Sequence, residues 1–291
     1  MKLTDPETAV SLNNQAERYQ SQGKYEQAEP LYKRAIAINE QTLGPSHPDT
    51  AIVLNNLGTL YNSMGKYEQA EPLFKGAITI REQALGLTHP NTAESLNNLA
   101  SLYGSMGKYE QAEPLYKRAI AIREQVLGPN HPDTANSLFG LAKLYMSIDK
   151  YEQAEPLYKR VIAIREQTLG PNHPDTAIVL NNLAVLYNST KRDWQAEPLL
   201  KRVLAISEQT FGPNHPNTAM SLHNLASLYM SMGKDKQAEQ LLKRAEAIFE
   251  KALGADHPRT QAVREDIELV GILKHAQRGY VFVQKTSKPG T

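Results

Sequence analysis

The sequence predicts an all-α solenoid of six antiparallel helix pairs plus a C-terminal capping helix, on three observations. First, the segment KYEQAEPL occurs word for word at Lys24–Leu31, Lys66–Leu73, Lys108–Leu115 and Lys150–Leu157, each copy 42 residues after the last. A fixed period of this size marks stacked supersecondary units rather than one central core. Second, degraded copies hold the same step, RDWQAEPL from Arg192 and KDKQAEQL from Lys234. Third, apolar residues between the copies fall at steps of three and four, the spacing of one helix face.

Each repeat reads as two helices, helix A and helix B. In the second repeat helix A opens at His47-Pro48-Asp49-Thr50. Proline suits the first helical turn and an early aspartate suits the positive helix end. Ala51, Leu54, Leu57, Gly58 and Tyr61 then form one face, and Gly65 supplies a left-handed stop. Helix B is expected from about Tyr67 to Leu85, with Ala70, Leu73, Phe74, Ala77, Ile78 and Ile80 buried and Gly86 ending it. Its interior proline, as at Pro30, Pro72, Pro114, Pro156 and Pro198, should bend it or delay its start. Neither helix can bury its stripe alone, so the pairs must stack.

The pattern restarts at Pro6, Pro48, Pro90, Pro132, Pro174 and Pro216, which gives six pairs. A seventh start at Pro258 leads into Ala262, Ile267, Val270 and Leu273, with the charged Arg264, Glu265, Asp266, Glu268 and Lys274 between them. It is read as a capping helix with a polar outer face. The solenoid is expected over residues 1–275 and a flexible tail over 276–291.

Bulk composition narrows the function. The net charge of +1 gives no reason to expect nucleic acid or an acidic membrane as partner. Without cysteine there is no disulfide, thiolate metal site or thiol nucleophile. MKLTDPETAV lacks an apolar signal core, and no apolar run approaches the length of a membrane span, so a cytoplasmic protein is the default. There is no nucleophile–base–acid set, Gly-rich phosphate loop or catalytic carboxylate pair outside the repeats. Features inside them recur layer by layer, which suits a scaffold better than one active site. The expectation is a non-enzyme without cofactor.

The order Leu-Asn-Asn-Leu-Gly-x-Leu-Tyr, Gly-x-Tyr, Ala, Phe-x-x-Ala (Leu54–Tyr61, Gly65–Tyr67, Ala70, Phe74–Ala77) resembles the tetratricopeptide repeat, whose unit has about 34 residues. The longer unit here, with LNNLA at Leu96–Ala100, YEQAEPLYKRA at Tyr109–Ala119 and LGPNHPDTA at Leu127–Ala135, is similar to the repeats of kinesin light chains and their bacterial relatives. The resemblance covers roughly Pro6 to Leu273. It implies a right-handed superhelix with helix A lining a concave groove that binds peptides or partner proteins and does no catalysis.

By that resemblance Asn13 and Asn14, Asn55 and Asn56, Asn97 and Asn98, and Asn181 and Asn182 fall on the groove side of helix A, followed by His223 and Asn224. Asparagine is a poor helix-interior residue, so the recurring pair needs a reason. Its amide can bind the backbone of an extended peptide, or it can bond a neighbouring helix across the stack. The two members stand about 100° apart on a helix, so one is expected to meet ligand and the other to bridge repeats, in either order. The fourth repeat departs from the pattern. Phe139-Gly140 replaces the pair, with Lys143 and Met146 on the same face as Phe139. An aromatic, a cation and a thioether in a polar Asn and Ser surface read as a binding hot spot, with Gly140 giving a ligand backbone close approach. Carboxylate clamps of the resembled family and the acidic-peptide grooves of kinesin light chains use Lys and Arg. Here the matching face offers only Lys143.

Other recurring residues read structurally. The pairs Glu29–Lys33, Glu71–Lys75, Glu113–Lys117, Glu155–Lys159, Glu197–Lys201 and Glu239–Lys243 sit four apart on helix B and are taken as a solvated face. His47, His89, His131, His173, His215 and His257 come one per layer, too far apart to share a zinc ion, and are assigned to the helix starts. The leading function is an interaction scaffold for an extended peptide or partner helix, with no nucleic-acid, membrane or small-molecule partner expected. The alternatives are the sensor arm of a larger signalling protein and, behind it, a single-stranded RNA reader, which would want a basic groove.

Overall fold

A computed structural model describes residues 5–286, and side chains as far as 273. Among the described residues there are thirteen helices and no strand. Helices A are α1 (Pro6–Ser21), α3 (Pro48–Ser63), α5 (Pro90–Ser105), α7 (Pro132–Ser147), α9 (Pro174–Ser189) and α11 (Pro216–Ser231). Helices B are α2 (Tyr25–Thr42), α4 (Tyr67–Leu85), α6 (Tyr109–Val126), α8 (Tyr151–Leu169), α10 (Asp193–Phe211) and α12 (Asp235–Leu253), and α13 (Pro258–Thr286) follows.

The ends of these helices follow from short-range chemistry. Each of His47, His89, His131, His173 and His215 stands at the N-cap, where its Nδ1 accepts the backbone N–H two residues on, at 3.1 Å. The ring thus satisfies one of the amides that a helix start leaves without a partner. In α1 the carboxylate of Asp5 does this job for Thr8. Two residues past each helix-start proline, Thr50, Thr92, Thr134, Thr176, Thr218 and Thr260 are buried and donate to the carbonyls of Gly44, Gly86, Gly128, Gly170, Gly212 and Gly254. This bond closes each loop from helix B to the next helix A. Helix B begins at the motif position in every repeat, including α12, where Gln240 replaces the proline, so proline does not delay the start.

The helices fall into two compact units, Met1–Leu157 and Tyr158–Thr291, divided within α8. In the first, α1, α3, α5 and α7 touch in succession, and each helix B packs between its own helix A and the next. Alanines with no exposed surface, such as Ala51, Ala77, Ala93 and Ala119, let the helices approach, while Leu96, Ile80 and Ile122 fill the space between them. In the second unit the cluster of Ala177, Leu180, Val203 and Ile206 repeats this plan.

Two polar devices join neighbouring layers. Glu29 accepts from Lys33 of its own helix at 2.6 Å, and from Tyr61 (2.9 Å) and Lys66 (3.4 Å) of the next repeat. Glu71 with Tyr103 and Lys108, Glu113 with Tyr145 and Lys150, and Glu197 with Tyr229 and Lys234 form the same clasp. This corrects the reading of these glutamates as a solvated face. Their side chains keep only 20–23% exposure because they bridge two repeats, whereas the four-apart lysines stay 56–58% exposed. The lysine hydrogen bond holds each of these carboxylates below the usual range, and Glu197 is lowered to about 2.

The second device is a buried arginine near the end of helix B. Arg81, 2% exposed, donates to the Asn91 carbonyl, Glu94 and Ser95 of the next helix A. Arg123 donates to the Asp133 carbonyl at 2.8 Å and Ser137 at 2.7 Å.

The last helix departs from expectation. Its buried residues are Thr260, Val263 and Val270, while Ala262 and Leu273 are exposed, so the inward face is rotated from the expected one. Polar contacts turn it: Arg264 pairs with Glu246 and Glu250 of α12, and Asp266 shares a hydrogen bond with His223 of α11. Leu269 and Ile272 are 45% and 65% exposed, so the outer face is not the polar one expected. The helix is described to Thr286, and residues 287–291 of the expected tail lie outside the described residues.

Candidate ligand-binding face

The asparagines form rungs between successive helices A. Asn56 Nδ2 donates to Asn13 Oδ1 at 2.9 Å and to Glu17 at 2.7 Å. Asn98 Nδ2 donates to Asn55 Oδ1 at 3.2 Å, and Asn224 Nδ2 to Asn181 Oδ1 at 2.8 Å. In the last layer His223 and Asp266 take the same two places, 2.6 Å apart. In the pairs Asn55–Asn56 and Asn97–Asn98 both members therefore bridge repeats: the first accepts from the following layer and the second donates to the preceding one. Asn55, 2% exposed, also accepts from Ser95, which leaves it no surface for a ligand and removes it from the expected contact set. Asn97 accepts from Ser137 at 3.0 Å. Asn182 donates to the Ile178 carbonyl of its own helix. Asn14, on the first helix A, is exposed.

The fourth repeat breaks the rung, and an open pocket of about 380 Å³ lies between α5 and α7. Phe139 and Lys143 line it with Asn97, Ser101 and Tyr116, and the Lys143 ammonium stands 5.9 Å from the Phe139 ring centre. That is cation–π distance. Met146 is half-buried on α7 and does not line the pocket.

Gly140 has a different reason from the one expected. A Cβ built there would lie 2.5 Å from Tyr116 Cε1 and 2.9 Å from its hydroxyl. The missing side chain admits the buried Tyr116 ring, not a ligand backbone. Burial pushes the Tyr116 hydroxyl up from its ordinary value, and a hydrogen bond with Ser101 offsets part of this.

The profile of the tetratricopeptide repeat matches residues 7–83, 60–125, 91–167, 142–209 and 195–251, so it spans most of the chain. The chain belongs to the tetratricopeptide repeat family. Among solved structures it is similar to the nearly identical TPR-like repeats of a kinesin light chain candidate from Podosopora anserina. That match has 29% identity over 71% of this chain and 98% of that one, with a TM-score of 0.65. It is also similar to BtubC (BKLC) from P. vanneervenii, at 23% identity over 87% and 92% of the two chains and a TM-score of 0.63. PilW, a type IV pilus biogenesis factor, shares the fold at 16% identity over 88% and 98%, with a TM-score of 0.64. No curated protein matches the sequence.

Tetratricopeptide repeats are generally protein–protein interaction scaffolds, so the exposed stripe of helix A is the face to consider. In the first unit it carries Asn14, Asn56, Asn98 and Lys143. Sequence reasoning missed Tyr116 as a wall of the pocket, although the loss of the asparagine at Gly140 alone marked that layer as different.

Proposed function

We propose that the chain is a non-catalytic scaffold that binds an extended peptide, or a helix of a partner protein, along the exposed face of its helices A. The pocket of Phe139 and Lys143 carries this reading. It joins an aromatic anchor to a cation in a surface of amides and hydroxyls, the composition of an interface hot spot. The asparagines support it. The rungs use one amide proton of Asn98 and of Asn224, and the second proton of each is left to meet a peptide carbonyl, whereas Asn56 spends both protons on Asn13 and Glu17. One residue can thus join two repeats and read a backbone. Lys143 would meet a carboxylate of the partner.

Pull-down with the intact chain, followed by peptide mapping, supplies the partner. Phe139→Ala and Lys143→Ala are then measured against it. Each should weaken binding by about 2 kcal/mol or more. Losses under about 0.5 kcal/mol for both, with folding intact, would refute the site.

A further inference from the structure

Two layers of the second unit lack the arginine: α12 fills its place with the buried Phe249, and α10 leaves it to a serine. Ser207 stands where α4, α6 and α8 have Arg81, Arg123 and Arg165, and it shares a 2.7 Å hydrogen bond with Ser221. Both serines are about nineteen-twentieths buried. The residues that Arg81 grips in its own layer are Asn91, Glu94 and Ser95. Their counterparts, Asn217, Met220 and Ser221, all line an open pocket of about 360 Å³ beside Ser207. The pocket lies where the arginine would run.

The charge of this cavity is one-sided. Ile178, Val203, Ile206, Phe211 and Met220 form its apolar walls, and Asn181, Asn182 and Asn224 line it beside them. Where other layers place a carboxylate, Asp133 or Asp175 early in helix A and Glu94 one turn on, this layer has Asn217 and Met220. The negative charge that balances a buried guanidinium is gone along with the guanidinium, so the cavity is not suited to a cationic ligand. No carboxylate lines it, and its one charged residue is Arg259, which is exposed and has no ion pair among the described residues. Apolar walls, neutral amides and hydroxyls, and one cation make a small-molecule site rather than a void.

We propose that this pocket binds a small apolar monocarboxylate, its hydrocarbon part between Val203, Ile206, Phe211 and Met220 and its carboxylate on Arg259. This departs from the sequence expectation of protein ligands alone; the pocket shares Asn224 with the helix A face proposed above, but not Phe139 or Lys143. The same chemistry could be offered by the C-terminal residue of a peptide, so the test separates the two.

Octanoate is titrated calorimetrically into the full chain, beside octanol, octylammonium and acetyl-Gly-Gly-Leu with a free carboxylate. Octanoate should bind saturably at or below about 1 mM. Octanol and octylammonium should bind about tenfold more weakly or not at all, and Arg259→Gln should lose about tenfold for octanoate. Ser207→Arg should remain folded, since its guanidinium finds the Asn217 carbonyl and Ser221 as Arg123 finds theirs, and it should abolish binding. The proposal is overturned if octanoate does not saturate, if Ser207→Arg binds it like the parent, or if the tripeptide binds and octanoate does not. Equal binding of octanol and octanoate would also overturn it, because the cation would then play no part.

Discussion

At the scale of single residues, Gly140 and Tyr116 form a matched pair. Gly140→Ala places a methyl group against a buried ring, so it should destabilise the protein by about 1–3 kcal/mol in urea unfolding. The size of Tyr116 causes the cost. In the next layer Tyr158 stands opposite Asn182, and in the two after it Leu200 and Leu242 take the place, opposite Asn224 and Asp266. Tyr116→Leu combined with Gly140→Ala should therefore recover much of the loss, read as a coupling in a double-mutant cycle. Sequence showed that this layer differs, but not why, because the ring's direction depends on how two helices face each other. The asparagines were similarly half legible. Their partners are 43 residues apart, one repeat plus one, and that offset appears only when neighbouring helices are set side by side.

At the scale of the helix, the boundaries were the most legible part, since proline, histidine and glycine recur at fixed places. The expected span of α4, Tyr67 to Leu85, is the observed one. The buried arginines were not legible, because arginine in an amphipathic pattern normally marks the wet side. Their burial depends on carbonyl and hydroxyl partners from the next helix A. A related expectation at this scale concerns Gly76, which replaces an arginine on α4. A Cβ there would meet only Leu54, at an ordinary 3.7 Å. Gly76→Ala should raise stability by up to about 1 kcal/mol, because alanine loses less backbone freedom in a helix. An unchanged or lower melting temperature would contradict this.

At the scale of the whole molecule, the glutamate clasps make stability depend on acid. Their folded carboxylates lie below the ordinary value of 4.5, with Glu197 near 2. A depressed value means that the stabilisation is complete above the unfolded carboxylate range and is lost as pH falls from 4.5 toward about 2. Thermal melts should therefore drop across that window, and Glu71→Gln should lower the melting point at neutral pH while flattening the acid limb. A parallel downward shift at every pH would show that the clasp carboxylate is not the titrating group. The layered plan was legible from the period alone. The clasps were not, because a glutamate four residues from a lysine looks the same whether or not a tyrosine from the next repeat reaches it. Near-identical layers also carry a hazard: a helix pair could dock one position out of order, or onto another copy of the chain, with most of its contacts intact. The irregular rungs act as addresses. With α5 in place of α7 against α6, Asn98 would meet the Tyr116 ring, and only α13 offers His223 an acid. The places where the repeat breaks its own pattern thus tell each layer which neighbour is its own.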